Sequence, residues 1–147
     1  MTRLPRITVA PNGARLQKAD HAALPMSTRE LAQTARACHA AGADAVHLHV
    51  RDAQGRHSLD PDQYRTAIAA VSQAAPGMGI QITTEAAGRY DVAEQLHLLQ
   101  TLKPAAASIA IREMARAPGL VPEIYATAST CQTHVQHILY GPDCLEQ

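Results

Sequence analysis

Regular alternation of short β-rich runs with helix-forming segments constrains this chain more than any other feature. The β-rich runs recur roughly every 30 residues, and helix-forming segments follow the first four of them. The predicted strands are residues 7–10, 45–52, 79–84, 107–111 and 135–140. Such alternation is typical of βαβ units, so the sequence predicts an α/β fold with parallel strands.

The helix boundaries are marked by residues that cap helix ends. Three starts are indicated by Ser27 with Glu30, by Asp60 with Pro61, and by Asp91 with Glu94. The first and third pairs fit a capping box, and the second places proline at the first helical position. The segment after Pro122 is also predicted to be helical. Each predicted helix therefore lies between two predicted strands.

Five predicted strands fit either an open doubly wound sheet or the first part of a (β/α)₈ barrel. The dinucleotide-binding version of the open sheet is disfavoured, because no GxGxxG follows the first strand. Polar residues follow the carboxyl ends of the predicted strands: Asn12, His49, Arg51, Asp52, Thr83, Thr84, Glu85, Arg112 and Glu113. In parallel α/β folds this edge of the sheet is the expected active-site face.

Composition limits the class of protein. The chain has 147 residues, enough for one domain, and its 13 basic and 13 acidic side chains cancel, so no nucleic-acid partner is indicated. No apolar run approaches the roughly 20 residues that span a bilayer, and no secretory leader is recognisable, so no membrane partner is expected. The cysteine count of three is odd and no CxxC spacing occurs, which favours reduced thiols and a cytoplasmic location.

His47 and His49 are the strongest candidate functional residues. Side chains two apart in a strand point to the same face, so the two imidazoles would lie together. A pair of neutral imidazoles can supply two ligands to a divalent metal, expected to be Zn²⁺, and a third ligand would have to come from elsewhere. On spacing alone, a packed or loop-facing histidine pair is an equally good interpretation.

The other polar residues have simpler structural interpretations. Arg51 and Asp52 could form an ion pair that closes the strand end, and Glu85 and Glu113 could be solvated loop carboxylates. The histidines outside the pair are expected to be ordinary surface or interface residues: His57, His134 and His137.

Four segments resemble the β-keto acid cleavage enzymes, the family of 3-keto-5-aminohexanoate cleavage enzyme. They are residues 7–14, 18–21, 46–52 and 81–85, of which the His-Leu-His-Val-Arg-Asp block is the most specific. The resemblance implies a zinc-dependent (β/α)₈ barrel that condenses a β-keto acid with acetyl-CoA, giving acetoacetate and a new acyl-CoA through a retro-Claisen step. It implies only the N-terminal part of that barrel, about five β/α units.

The resemblance also assigns roles to individual residues. His47 and His49 match the two zinc histidines of the family. Thr83 and Ser108 fall where hydroxyl side chains contact the substrate, and Ala86 falls where the backbone does. The catalytic Asp and Arg of the family, and its third zinc ligand, a Glu, have no counterpart in this sequence.

Arg15 departs from the family pattern. It stands where the aminohexanoate enzyme has a Glu that pairs with the ammonium group of its substrate. A guanidinium would repel such a substrate and favour an anionic or neutral acyl tail. The keto acid is therefore expected to differ from 3-keto-5-aminohexanoate.

Residues 1–147 are expected to form a single partial-barrel domain that ends after the fifth predicted strand. A homo-oligomer or association with a missing C-terminal half would complete the site. Two alternatives remain open. The chain could be an inactive or split half-barrel with unpaired edge strands. It could also be another metal-dependent TIM-barrel hydrolase, although those carry His-x-His on the first strand rather than the second.

Overall fold

The computed structural model describes residues 5–145, so the outermost residues of the predicted domain, 1–4 and 146–147, lie outside the described part. Seven strands and five α-helices follow in chain order. The strands are β1 (Thr8–Val9), β2 (Ala45–Leu48), β3 (Val50–Arg51), β4 (His57–Ser58), β5 (Gly79–Thr83), β6 (Ala106–Ala110) and β7 (His134–Ile138). The helices are α1 (Thr28–Ala40), α2 (Pro61–Ala74), α3 (Val92–Leu102), α4 (Ile111–Met114) and α5 (Val121–Thr130). Short 3₁₀ turns occupy Pro118–Leu120 and Pro142–Leu145.

The main sheet has five parallel strands in the order β1-β2-β5-β6-β7. Each strand of this sheet pairs with the next one along the chain, and helices connect them. The long helices also pack in chain order, with α1 against α2, α2 against α3 and α3 against α5. This sequential arrangement confirms the predicted α/β fold as part of a (β/α)₈ barrel.

The core lies between the helices and one face of the sheet. Strand residues Val46, Leu48, Ile82 and Ile109 are buried there, together with Tyr64 of α2. Alternate residues of the same strands face the other way. Their face is more polar, and it lines an open cavity of about 460 Å³. The cavity residues on that face are Thr8, Ala45, Gly79, Gln81, Ala106, His134 and Gln136.

The predicted caps form. Ser27 and Glu30 make a reciprocal capping box at the start of α1, and Asp91 and Glu94 make another at α3. Asp60 caps α2 by accepting hydrogen bonds from two backbone N–H groups of its first turn. Caps are recognisable in the sequence because their partners lie only three residues away.

The second predicted strand, residues 45–52, is divided in the structure. β2 ends at Leu48, and β3 leaves the main sheet to pair antiparallel with β4. The Asp52 carboxylate accepts hydrogen bonds from the N–H groups of Gln54 and Arg56, and Gly55 adopts φ +73°. This turn folds the chain back on itself, which the strand-like composition of the run did not indicate.

The other differences are shifts of strand ends. β6 and β7 each begin one residue earlier than predicted, and β7 ends at Ile138 rather than at residue 140. α5 occupies the segment after Pro122 as expected, although it begins at Val121. Among the helices within residues 5–145, none is long and apolar enough to cross a bilayer.

Substitution of Glu30 by Gln should reduce the acid sensitivity of folding. The Glu30 carboxylate accepts from Lys18 Nζ and from the backbone N–H groups of Met26 and Ser27. These contacts, that of Lys18 foremost, lower the pKa of Glu30 from 4.5 to about 2. The carboxylate therefore stabilises the fold fully above the unfolded pKa, and this contribution is lost as the pH falls toward 2.

Urea unfolding at about pH 7 and about pH 3 measures this effect. The loss of unfolding free energy between the two pH values should be smaller for Glu30→Gln than for the wild type. Glu123→Gln, which changes an exposed carboxylate of α5, is the matched control and should behave as the wild type. Equal losses in wild type and Glu30→Gln would contradict the assignment.

Candidate metal and substrate site

The two candidate metal ligands meet at the carboxyl end of β2. His47 belongs to β2, and His49 follows its last residue. Their Nε2 atoms are 3.0 Å apart, and the rings meet edge to face with centroids 4.9 Å apart. Although His49 lies outside the regular strand, its imidazole remains on the same side as that of His47. The predicted convergence of the two rings is therefore present.

Burial keeps both imidazoles neutral. Removal from water lowers the pKa of His47, and it lowers the pKa of His49 to about 2. The neighbouring His47, His57, Arg51 and Arg15 also contribute to this low pKa of His49. A histidine must be neutral at the coordinating nitrogen to bind a metal. The site thus holds both residues in the binding-competent charge state.

Neighbouring strands hold the pair in place. His47 Nδ1 donates to Gln81 Oε1 of β5 at 2.7 Å, and Gln81 Nε2 donates to Gln136 Oε1 of β7 at 2.8 Å. Asn12, after β1, donates through Nδ2 to the backbone carbonyl of His49 at 2.8 Å. Side chains from β5, from β7 and from the loop after β1 are therefore linked by hydrogen bonds to the two histidines, directly or through Gln81.

The donors present fit two positions of a zinc site. Two imidazole nitrogens aimed at one point are ligands that Zn²⁺ prefers, and a catalytic zinc takes three protein ligands. Within residues 5–145, no group of three or more His, Cys, Asp or Glu side chains could hold a metal ion. Nδ1 of His49 is buried and makes no hydrogen bond to any residue that the structure describes. The histidines thus suit a metal in type and number, as two of its ligands.

Thr83 and Ser108, the predicted hydroxyl contacts, are brought together on adjacent strands. They are register partners in β5 and β6, and both are buried. Ser108 Oγ donates to Thr83 Oγ1 at 3.3 Å, and Thr83 Oγ1 accepts from the backbone N–H of Glu85 at 2.9 Å. The pairing Leu48 with Ile82 places His49 alongside Thr83 at the next position.

Arg15 lies beside the same site on the loop after β1. Its side chain is 69% exposed and its Nη1 is 2.7 Å from Glu85 Oε1, while the Glu85 side chain is only 13% exposed. The second Glu85 oxygen, Oε2, is 4.0 Å from His49 Nδ1. Glu85 is thus a mostly buried carboxylate between Arg15 and His49, rather than the solvated loop carboxylate that its sequence position suggested.

Ala86 is buried with its backbone already in use. Its N–H donates to Glu113 Oε2 at 3.0 Å, and its carbonyl accepts from the N–H groups of Arg89 and Tyr90. Glu113 also accepts from Gln95 Nε2 at 2.7 Å. The carboxylate of Glu113 therefore holds the loop after β5, which corrects its interpretation as a solvated residue.

His57 is the residue that the sequence interpretation missed. It was expected at the surface, but it is only 2% exposed, and its ring centroid is 5.3 Å from that of His49. Its Nε2 donates to the Glu85 carbonyl at 2.7 Å. The turn-forming residues between β3 and β4 were the available signal, because a hairpin there returns His57 to Arg51.

Arg51 and Asp52 make their main contacts with other residues rather than with each other. Arg51 is buried and its guanidinium donates to the carbonyls of Gly13, Leu16 and Gly55. The Asp52 carboxylate forms ion pairs with Arg56 and Arg89. Arg51 therefore anchors the loop that carries Arg15 next to the two histidines.

The fold is a parallel α/β sheet with two histidines at the carboxyl end of β2. Sequence comparison places this chain in a family. A family model described as beta-keto acid cleavage enzyme matches residues 6–146. The chain belongs to the β-keto acid cleavage enzyme family.

Curated relatives agree with this assignment. The 3-oxoadipate:acetyl-CoA acetyltransferase of Cupriavidus necator is 33% identical over 110 residues, covering 75% of this chain and 38% of the relative. The 3-keto-5-aminohexanoate cleavage enzyme of Fusobacterium nucleatum is 36% identical over 78 residues, which cover 53% of this chain and 29% of the relative. The chain thus matches 29–38% of the length of these relatives.

A solved structure of apo ObcA shows the same fold. It superposes with a TM-score of 0.67 at 16% sequence identity, covering 84% of this chain and 31% of that one.

Substitution of either candidate ligand should remove zinc binding. We expect His47→Ala and His49→Ala each to weaken Zn²⁺ affinity more than about 100-fold, which exceeds the effect of losing an outer partner. Isothermal titration of the metal-free protein with Zn²⁺ measures this affinity. His97→Ala, at an exposed position of α3, is the control and should bind zinc as the wild type does. Retained affinity in both ligand variants would refute the site.

Proposed function

We propose that this chain provides the metal site and the keto-acid site of a zinc-dependent β-keto acid cleavage enzyme. The observation that carries the proposal is the convergence of the partly buried His47 and the buried His49, whose Nε2 atoms lie 3.0 Å apart. The family match over residues 6–146 supports the reaction class. Two neutral imidazoles that point at one position are two of the three protein donors that such a metal needs.

The proposed reaction exchanges two acyl groups. A β-keto acid, R–CO–CH₂–COO⁻, reacts with acetyl-CoA to give acetoacetate and R–CO–CoA. The bond between the R–CO carbon and the CH₂ carbon breaks, and the R–CO group bonds to the CoA sulfur. The acetyl group leaves that sulfur and bonds to the CH₂ carbon, so atoms and charge balance.

Residues of this chain would bind and orient the keto acid. Zn²⁺ held by His47 and His49 would polarise the keto carbonyl as a Lewis acid. The hydroxyl of Thr83, which accepts from Ser108, would donate its own hydrogen to the carboxylate of the substrate, and Ser108 would exchange its bond to Thr83 for one to the same carboxylate. Because these groups are buried, their hydrogen bonds would be stronger than in water.

Arg15 suggests the class of substrate. Its exposed guanidinium is suited to a negatively charged group at the far end of the keto acid. The Cupriavidus necator relative is named for 3-oxoadipate, a keto acid with a second carboxylate. We therefore propose a β-keto acid with an anionic tail, such as 3-oxoadipate, as the substrate. Its tail carboxylate would compete with Glu85 for Arg15.

We further propose that the open polar face of the sheet is covered in the working protein. The cavity of about 460 Å³ on this face is large for a surface left unfilled by protein. A second copy of the chain, or a C-terminal half of the barrel, could cover it and supply the third ligand and the catalytic groups.

Cys38, Cys131 and Cys144 are all free, which supports a reducing, cytoplasmic location.

Reversal of the charge at Arg15 tests both reaction and substrate. With Zn²⁺, acetyl-CoA and 3-oxoadipate, the wild-type protein should form acetoacetate together with succinyl-CoA. Arg15→Glu should lower kcat/KM for 3-oxoadipate at least about tenfold, because a carboxylate repels the anionic tail. It should raise kcat/KM for 3-keto-5-aminohexanoate. Product formation is followed by chromatography of the CoA thioesters.

Arg36→Glu makes the same charge change on the exposed side of α1 and should leave both substrates unaffected. Equal losses in the two variants would contradict the role of Arg15. Absence of acetoacetate from a protein that binds zinc through His47 and His49 would favour the alternative, an inactive or split half-barrel.

A further inference from the structure

The hydrogen bonds around His47 define which of its nitrogens carries the proton. Gln81 presents Oε1 to His47 Nδ1 at 2.7 Å, while its Nε2 is turned toward Gln136 Oε1 at 2.8 Å. A carbonyl oxygen only accepts, so His47 Nδ1 must carry a hydrogen. Because the ring is neutral, its Nε2 then carries a free lone pair. Gln81, held in turn by Gln136, sets His47 in the tautomer that a metal ligand needs.

His49 has the opposite arrangement in the metal-free protein. With the hydrogen of a neutral His47 on Nδ1, the 3.0 Å contact between the two Nε2 atoms is a hydrogen bond only if His49 Nε2 donates. Nδ1 of the neutral His49 is then a bare acceptor, buried and without a hydrogen-bond partner in the described part of the chain. A cation bound between the two Nε2 atoms would displace the hydrogen of His49 Nε2. This hydrogen must then be carried on Nδ1.

Glu85 is placed to accept the hydrogen of His49 Nδ1. Its Oε2 lies 4.0 Å from that nitrogen, so a shift of about 1 Å would bring the pair to hydrogen-bond distance. Its other oxygen contacts Arg15, which holds the carboxylate beside the ring. Carboxylates that accept from the free N–H of a metal-bound histidine orient the ring and increase its basicity.

We propose that Gln81 and Glu85 are positioning residues for the two metal ligands, an inference that rests on the proposed metal site. Gln81 holds His47 in the tautomer with hydrogen on Nδ1. Glu85 accepts the hydrogen that His49 carries on Nδ1 when a metal is bound. One proton leaves Nε2 and one is gained at Nδ1, so the exchange needs no net proton uptake or release. The Arg15–Glu85 ion pair then links the group that would contact the substrate tail with a metal ligand. Both histidines then coordinate through Nε2 with the hydrogen on Nδ1. His47 has this tautomer before the metal binds, and His49 adopts it when the metal binds.

The first experiment follows histidine tautomers by long-range ¹H–¹⁵N NMR of the full chain. In metal-free wild-type protein, His47 should be protonated at Nδ1 and His49 at Nε2. Addition of Zn²⁺ should move the His49 hydrogen to Nδ1 and leave His47 unchanged. In Gln81→Leu the preference of His47 for Nδ1 should be lost, and in Gln81→Glu, which keeps an acceptor oxygen, it should persist. A loss of packing alone would not produce this selective rescue.

The second experiment measures Zn²⁺ affinity by competition with a chelator. Gln81→Leu and Glu85→Leu should each weaken binding about 10–100-fold, the range for loss of a partner that orients a ligand. Glu85→Gln keeps an acceptor and should weaken binding less than Glu85→Leu. Gln100→Leu and Glu123→Gln, at exposed positions on α3 and α5, are the matched controls and should leave affinity unchanged.

The outcomes separate this inference from the proposed function. Zinc binding by wild type with unchanged affinity in Gln81→Leu and Glu85→Leu would overturn the positioning roles and leave the metal site standing. Metal-free His47 protonated at Nε2 would overturn the role of Gln81 by itself. Absence of zinc binding by the wild type would overturn both the metal site and this inference. Circular dichroism melting checks that each variant is folded.

Discussion

The parallel register between β2 and β5 is the constraint on which the candidate site depends. It pairs His47 with Gln81 and Leu48 with Ile82, so the imidazole of His47 and the amide of Gln81 share one face. Leu48 and Ile82 occupy the other face and are buried against the helices. A slip by one residue would exchange the two faces, placing imidazole in the apolar core and leucine in the open cavity. The apolar core thus holds the ligands in place.

Burial gives the site its chemical character and also makes it costly to assemble. Two imidazoles removed from water stay neutral, which suits a metal, but their nitrogens then need partners. Gln81 provides one for His47, while Nδ1 of His49 has none within residues 5–145. A buried acceptor without a donor costs about 1–3 kcal/mol, and a bound cation with the accompanying tautomer change would relieve that cost.

Local signals in the sequence predicted the framework well. The capping residues of α1, α2 and α3 bond to groups only two or three positions away, so a pattern such as Ser27 with Glu30 is visible without the fold. The tertiary contacts were not visible in this way. The hairpin that brings His57 to His49 depends on a turn within a run that looks like one continuous strand. Gln81 reaches Gln136 across 55 positions because β6, between them, carries only small residues on that face: Ala106, Ser108 and Ala110.

The sequence by itself determined the alternation of strands and helices, their capped ends, the family, and a pair of imidazoles two residues apart. These depend on periodicity and short-range hydrogen bonds, which the order of residues encodes directly. Only the tertiary structure decided the partners of those imidazoles: Gln81 beside His47, and Glu85 and His57 near His49. Such partners come from segments distant in the chain, and they meet only when packing of the apolar face has set which strands are neighbours and in what register.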